Sequence, residues 1–347
     1  MRHRPAETDL IELTQSLLRC PSITPNEAGT LAILTDFCQQ LGMTTRRYDF
    51  HHTSNLFATI GPDSPNLLFC GHVDVVPPGD LKQWTHPPFS AHIDNNQLLF
   101  GRGAVDMKSS IAAFLLALKK IATSNLNTGI SLLITSDEEG PAEHGTVMAL
   151  RALHQDGHRF DYALVGEPTS IQTVGDTLKI GRRGSLSATV TLKGQQGHVA
   201  YPDQAVNPIP AACRIVDALT SMQLDPTPPS PFPPSHCSFT SLTSTSPAGN
   251  VSPADCTWSM NFRYSPALDA EGIQIQVEEC IRKHWPHTYT STWHNSAQPF
   301  LSQPGTFLRQ CQQALQKCTG SPAAVTTSGG TSDARFVHKY VTDIVEL

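Results

Sequence analysis

The sequence predicts an α/β protein carrying an inserted α+β domain, and three observations predict it. Apolar stretches of helical length alternate with short β-like runs through the first half. Near Arg182 the texture changes to a period-two alternation of small or apolar with polar residues. The 347 residues also exceed the length over which one hydrophobic core keeps growing, so two domains are expected.

Taken in order, Thr8 to Leu18 reads as a helix. So does Thr30 to Leu41, which Gly42 ends because glycine takes the left-handed conformation after a helix at little cost. Asn66 to Cys70 and Gly129 to Thr135 read as buried strands, with Met107 to Ala122 as a long helix between them. Ser185 to Leu192 reads as a strand, Pro208 to Met222 as a helix, and Pro226 to Pro234 as a proline-rich run too short for a disordered linker. Cys237 to Thr243 and Asp255 to Arg263 are further strands, Ala270 to His284 a second helix and Tyr289 to Trp293 a last strand. That order matches a ferredoxin-like insert. From about Pro304 the chain returns to helix and strand and rejoins the first domain. The expected division is residues 1–181, then an insert over 182–294, then 295–347.

Composition narrows the functional classes. A net charge of −6 provides no basic footprint for phosphate contacts, so no nucleic-acid partner is expected. The longest apolar stretch, Ile111 to Leu118, is too short to span a bilayer, so no membrane partner is expected either. Met1-Arg2-His3-Arg4-Pro5 is followed by Glu7 and Asp9 rather than an apolar segment, which does not read as a signal peptide; the cytoplasm is the expected compartment. Nine cysteines scattered from Cys20 to Cys318, without a Cys-x-x-Cys pair, read as reduced thiols.

Four segments bring metal-ligand residue types to strand ends and the loops after them: Cys70-Gly71-His72-Val73-Asp74, Gly103-Ala104-Val105-Asp106, Ser136-Asp137-Glu138-Glu139-Gly140 and Val165-Gly166-Glu167-Pro168. One imidazole with several carboxylates suits a borderline cation such as zinc. Adjacent glutamates can divide the work, one binding metal while its neighbour handles protons. Asp74, two residues from His72, can hydrogen-bond the other imidazole nitrogen and fix its tautomer. Each piece alone has a plainer reading: His72 and Asp74 as a structural pair, Glu138-Glu139 as a solvated turn, Asp106 as a helix cap. Their order and spacing together point to a metal site.

The run from Cys70 to Asp80, then Trp84, Pro88-Phe89, Gly101 to Lys108, Thr135 to Pro141 and Gly166 to Thr169, resembles the dinuclear zinc aminoacylase and carboxypeptidase family. The resemblance extends to Cys20 to Pro25, Gly175 to Ser185, Gly194 to Pro202 and Thr327 to Asp333, and so covers nearly the whole chain. It implies a zinc aminopeptidase-like catalytic domain with a ferredoxin-like lid and dimerisation domain, a homodimer, and two zinc ions for which cobalt can substitute. It implies Asp106 bridging the ions, His72 and Glu167 on one, Glu139 on the other, and Glu138 as general base. His198, reaching over from a partner subunit, would stabilise the oxyanion; a sheet-edge structural role is its plainer reading. His144, near the catalytic loop, receives no role.

Within the family, the nearest pattern implies hydrolysis of an N-succinyl amide of 2,6-diaminopimelate, a substrate with three carboxylates that cations and backbone amides must hold. Lys179, Arg182, Ser185, Tyr201, Asn250, Arg263 and the Gly330-Thr331 amides match that need. Deacetylation of acetylornithine and carboxypeptidase activity are the alternatives. The family also implies a last metal-binding histidine after a strand like Ile344-Val345-Glu346-Leu347, where the sequence stops. The expectation is a truncated chain with a weakly held second zinc, and an inactive remnant is therefore a third reading.

Overall fold

In the computed structural model, which describes residues 5–122 and 126–347, the chain divides into two compact units. The first comprises Met1–Ile180, Ser302–Val325 and Ser332–Leu347; the second comprises Gly181–Leu301 and Thr326–Thr331. Residues 1–4, on which the signal-peptide reading partly rested, lie outside those described. No helix among the described residues is long and apolar enough to cross a membrane.

Helices α1 (Pro5–Leu18) and α2 (Thr30–Gln40) open the first unit, and Gly42 takes a positive φ of 80° just beyond α2. Strands β1 (Thr44–Phe50), β2 (Thr53–Ile60) and β3 (Asn66–His72) follow, then α3 (Ser109–Ile121), β4 (Gly129–Thr135), α4 (Thr146–Gln155), β5 (Tyr162–Val165) and β6 (Thr177–Lys179). The helix expected from Met107 begins at Ser109, because Ala104–Lys108 forms an irregular turn with extended dihedrals at Asp106. The β1–β2 hairpin and α4 add to the elements read from the sequence; β1 is largely exposed and charged, which hides strand periodicity.

The second unit contains β7 (Gly184–Lys193), α5 (Ile209–Thr220), β8 (His236–Thr243), β9 (Asp255–Tyr264), α6 (Ala270–His284) and β10 (Tyr289–Ala297). The strand order β8-β9-β7-β10, with antiparallel neighbours, is that of a ferredoxin-like fold. Alternation along β9 is strict: Cys256, Trp258, Met260, Phe262 and Tyr264 are buried against α5 and α6, while the intervening polar residues lie on the other face. The strand expected to stop at Trp293 continues to Ala297.

The chain returns to the first unit through α7 (Thr306–Thr319), β11 (Ala324–Thr326), α8 (Ala334–Val337) and β12 (Asp343–Glu346). The large sheet has the order β1-β2-β4-β3-β5-β12-β6-β11. Its centre, β4-β3-β5-β12, is parallel, and β4 is buried at every position, as a strand covered on both faces must be. Leu17, Leu31, Leu34, Leu56, Ile111 and Leu132 pack one core, each fully buried. Complete burial of such side chains contributes about 1.5–3 kcal/mol apiece.

Candidate metal centre

Parallel register brings the candidate ligands together. His72 is paired with Thr135 and Cys70 with Val165, so the chain leaves β4 toward Glu138-Glu139 and leaves β5 toward Glu167 on either side of His72. These are the carboxyl ends of parallel strands, where unpaired loop geometry is available for binding. A hydrogen bond from the Val73 amide to the Thr135 carbonyl at 2.9 Å and one from Gly166 to Cys70 at 3.0 Å continue the pairing past the strand ends. The segment after His72 is tied down by Ser22-Ile23-Thr24: Val75 donates to Ser22, Thr24 donates to Val75, and the Ser22 hydroxyl donates to Val73.

Asp106 comes from the irregular turn, and Met107 anchors that turn in the sheet. A Cβ at Gly71 would lie 2.5 Å from Met107 Cε, and one at Gly166 would lie 2.7 Å from the same atom and 2.6 Å from Phe69 Cζ. The two glycines thus leave the space that Met107 fills. Lys108, wholly buried, donates through Nζ to the carbonyls of Leu17 and Cys20 at 3.0 Å each, at the negative end of α1. Burial pushes its amine down to about 8.

His72 Nε2 lies 3.0 Å from Asp106 Oδ1 and 3.7 Å from Glu167 Oε1. One ligand atom from each of His72, Asp106 and Glu167 falls within 4.8 Å of the others, an arrangement fit to hold a metal ion. His72 Nδ1 lies 2.9 Å from the Asp74 backbone carbonyl, a contact that directs Nε2 toward the carboxylates when Nδ1 carries the proton. The expected contact to the Asp74 carboxylate is longer, 3.6 Å; that carboxylate instead accepts the N–H groups of Glu138 and Glu139.

Electrostatics fit a cation. Burial raises Asp74, Glu138 and Glu139, and Glu138 stands well above the carboxylate range with Asp333 and Glu167 adding repulsion. Burial alone would lower His72, but Asp106, Glu167, Asp74 and Glu138 outweigh it and hold the imidazole well above its usual value. Acids concentrated around one imidazole form the charge pattern a multivalent cation neutralises. Glu139 lies outside the three-residue cluster, yet it feels His72 and Asp106.

A family model described as peptidase family M20/M25/M40 matches residues 68–346. The chain belongs to this family. A succinyl-diaminopimelate desuccinylase of Maricaulis maris is 43% identical over 334 residues, covering 95% of this chain and 85% of that protein. One from Hydrogenovibrio crunogenus is 40% identical over 347 residues, covering 98% and 90%. Among solved structures, an M20 family metallo-carboxypeptidase from Sulfolobus solfataricus superimposes with TM-score 0.79 at 18% identity, over 99% of this chain and 91% of that one. A dinuclear metal-binding M20 peptidase of Bacillus subtilis gives TM-score 0.70 at 17% identity, over 98% and 88%.

Other positions expected of the family member fall as follows. Lys179 is buried at the end of β6, in register with Glu346 of β12. In the second unit, Arg182 Nη1 donates to the Gly330 carbonyl at 3.1 Å, with Thr331 half-buried next to it. Ser185 pairs with Arg263 across β7 and β9. His198 Nε2 lies 3.2 Å from Asn250 Nδ2, and its ring is 5.8 Å from that of Tyr201, so these three form one exposed group. Sequence reasoning assigned nothing to Lys108, Asp333 or Arg335. Asp333 stood in a quoted motif; Arg335, whose Nη1 lies 3.8 Å from Glu138 Oε1, left no local signal.

Proposed function

We propose that this chain hydrolyses N-succinyl-LL-2,6-diaminopimelate to succinate and LL-2,6-diaminopimelate, as a metal-dependent amide hydrolase of lysine and diaminopimelate biosynthesis. The observation that carries the reaction class is the convergence of His72, Asp106 and Glu167 next to Glu138 at the carboxyl ends of β3, β4 and β5. The substrate follows from relatives 40–43% identical that are named for it.

His72, Asp106 and Glu167 would hold one zinc ion and Glu139, sharing Asp106, a second, with cobalt able to replace zinc. Bound there, the ions supply Lewis acidity to the amide carbonyl and acidify the attacking water. Glu138 takes the proton from that water as its oxygen attacks the carbonyl carbon, then delivers it to the departing amine nitrogen. Asp74 fixes the backbone that carries Glu138. Lys179, Arg182, Ser185, Tyr201, Asn250, Arg263, Gly330 and Thr331 are assigned to the substrate's carboxylates. The partner subunit's His198 donates to the oxyanion in a homodimer built through the second unit, and the cytoplasm is the proposed compartment.

Succinate release from N-succinyl-LL-2,6-diaminopimelate by the zinc-loaded chain, compared with cleavage of N-acetylornithine and of a dipeptide, tests this. A kcat/KM preference of roughly a hundredfold or more is expected, because a site built for an extra charged group rejects substrates lacking it. Faster turnover of N-acetylornithine would assign the chain to deacetylation instead.

A further inference from the structure

Asp333 is a buried carboxylate for which the reaction above has no use. Its side chain is 6% exposed, and the Thr146 hydroxyl beside it is only a neutral donor. An ionised group so placed needs a compensating charge. Arg335 is that charge: its Nη2 lies 4.0 Å from Asp333 Oδ1, while its Nη1 lies 3.8 Å from Glu138 Oε1. The guanidinium is 10% exposed, and its Nε and Nη1 lack hydrogen-bond partners. One buried cation therefore stands between two carboxylates, and one of them is Glu138.

The surroundings hold that cation in place. Its carbon lies 4.5 Å from the Phe336 ring centroid, a stacking contact that limits the guanidinium's swing. The Arg335 amide donates to the Ser332 carbonyl at 3.1 Å, and the buried Ser332 hydroxyl donates to Glu346 Oε1 at 2.9 Å, which fastens the turn to β12. Glu138 is held at its backbone by Asp74. Its carboxylate otherwise faces Asp333 and Glu167, which repel it, and His72, which attracts it.

We propose that Arg335 is a positioning residue for Glu138. The guanidinium draws Oε1 and leaves the second carboxylate oxygen to meet the attacking water, while Asp333 holds the guanidinium from the other side. The proposal rests on Glu138 being the base. Orientation of this kind matters because displacing a reacting group by about 1 Å can cost about a hundredfold in rate.

The test uses the full chain loaded with zinc and the variants Arg335→Met, Arg335→Lys and Asp333→Asn. Arg335→Met is expected to lower kcat about tenfold to a hundredfold. KM and zinc content stay near wild type, while the thermal midpoint falls because Asp333 loses its compensating charge. Arg335→Lys, or guanidinium ion added to Arg335→Met, restores part of kcat, and Asp333→Asn shows a smaller loss of the same sign. A crystal structure of Arg335→Met is expected to show the Glu138 side chain in a different rotamer. A raised KM with kcat preserved would make Arg335 a substrate contact and overturn the proposal; so would an unmoved Glu138. Should wild type release no succinate, the functional reading fails by itself, and the Glu138 rotamer still decides the positioning role. Should Arg335→Met not fold, Arg335→Lys and Asp333→Asn carry the same comparisons.

Discussion

The carboxylate of Asp74 accepts the backbone N–H of Glu138, both oxygens lying 3.2 Å from that nitrogen. Asp74 is fully buried, so the contact is shielded from water and fixes the turn that carries Glu138, the proposed base. Asp74→Asn replaces one acceptor oxygen with an amide donor facing those N–H groups. Its kcat is expected to fall about tenfold to a hundredfold, as for other groups that orient a metal site. Zinc content should change less, because His72 is oriented by the Asp74 backbone carbonyl. Equal losses of zinc and kcat would contradict this division of labour.

Glu138→Gln removes the proposed base and leaves His72, Asp106, Glu139 and Glu167 in place. Turnover is expected to drop by about 10²–10⁴ with zinc stoichiometry unchanged, read by steady-state kinetics and metal analysis. Turnover near wild type would remove Glu138 from the mechanism.

Dialysis against a chelator should abolish succinate release, and zinc or cobalt should restore it. Because the ion binds the folded form, its return at roughly a thousandfold above Kd adds about 4 kcal/mol, seen as a rise in unfolding temperature. His72→Ala should show neither the recovery nor the rise.

The two glycines around Met107 make a ranked prediction. Gly166→Ala sets a Cβ 2.6 Å from the rigid Phe69 ring, and it is expected to destabilise by about 1–3 kcal/mol and to lower zinc affinity by shifting Asp106. Gly71→Ala meets chiefly the flexible end of Met107 and should cost less. Denaturant unfolding with metal titration gives both numbers, and the reverse ranking would count against the Met107 anchor.

Lys108 makes stability depend on pH. Its folded value of about 8 lies below the ordinary 10.5, so between those limits the unfolded chain binds more protons and stability rises with pH. The unfavourable contribution is fully present below pH 8 and fades above it. Measured on metal-free protein, the stability of wild type relative to Lys108→Met should therefore improve from pH 8 to 10. A pH-independent difference would refute it.

Much of the fold was legible. Gly129 to Thr135 read as a buried strand because it is largely apolar, and it is an interior strand of the large sheet. Ala270 to His284 was read to its observed ends, since Asp269 caps it through the Gly272 amide and Arg282, Lys283 and His284 close it. The helix at Met107 was misread because the apolar pattern runs on through a turn whose side chains serve the core and the site together. At the site, His72, Asp106 and Glu167 were legible as ligand types in strand-end segments, and these three converge, while the roles given to Glu138 and Glu139 came from the family resemblance. The partner of each could not, as the Asp74 carboxylate shows: it turned from the imidazole to the backbone of Glu138.

By itself, the sequence determined which residue types stand at the strand ends and that the second unit alternates in a ferredoxin-like order, because periodicity and short-range spacing are local properties. Only the tertiary structure decided that His72, Asp106 and Glu167 share one space and that Arg335 stands between Asp333 and Glu138. The ligand contacts and the Arg335–Glu138 contact join segments distant in the chain, and those of the ligands are set by parallel strand register and by the packing of Met107.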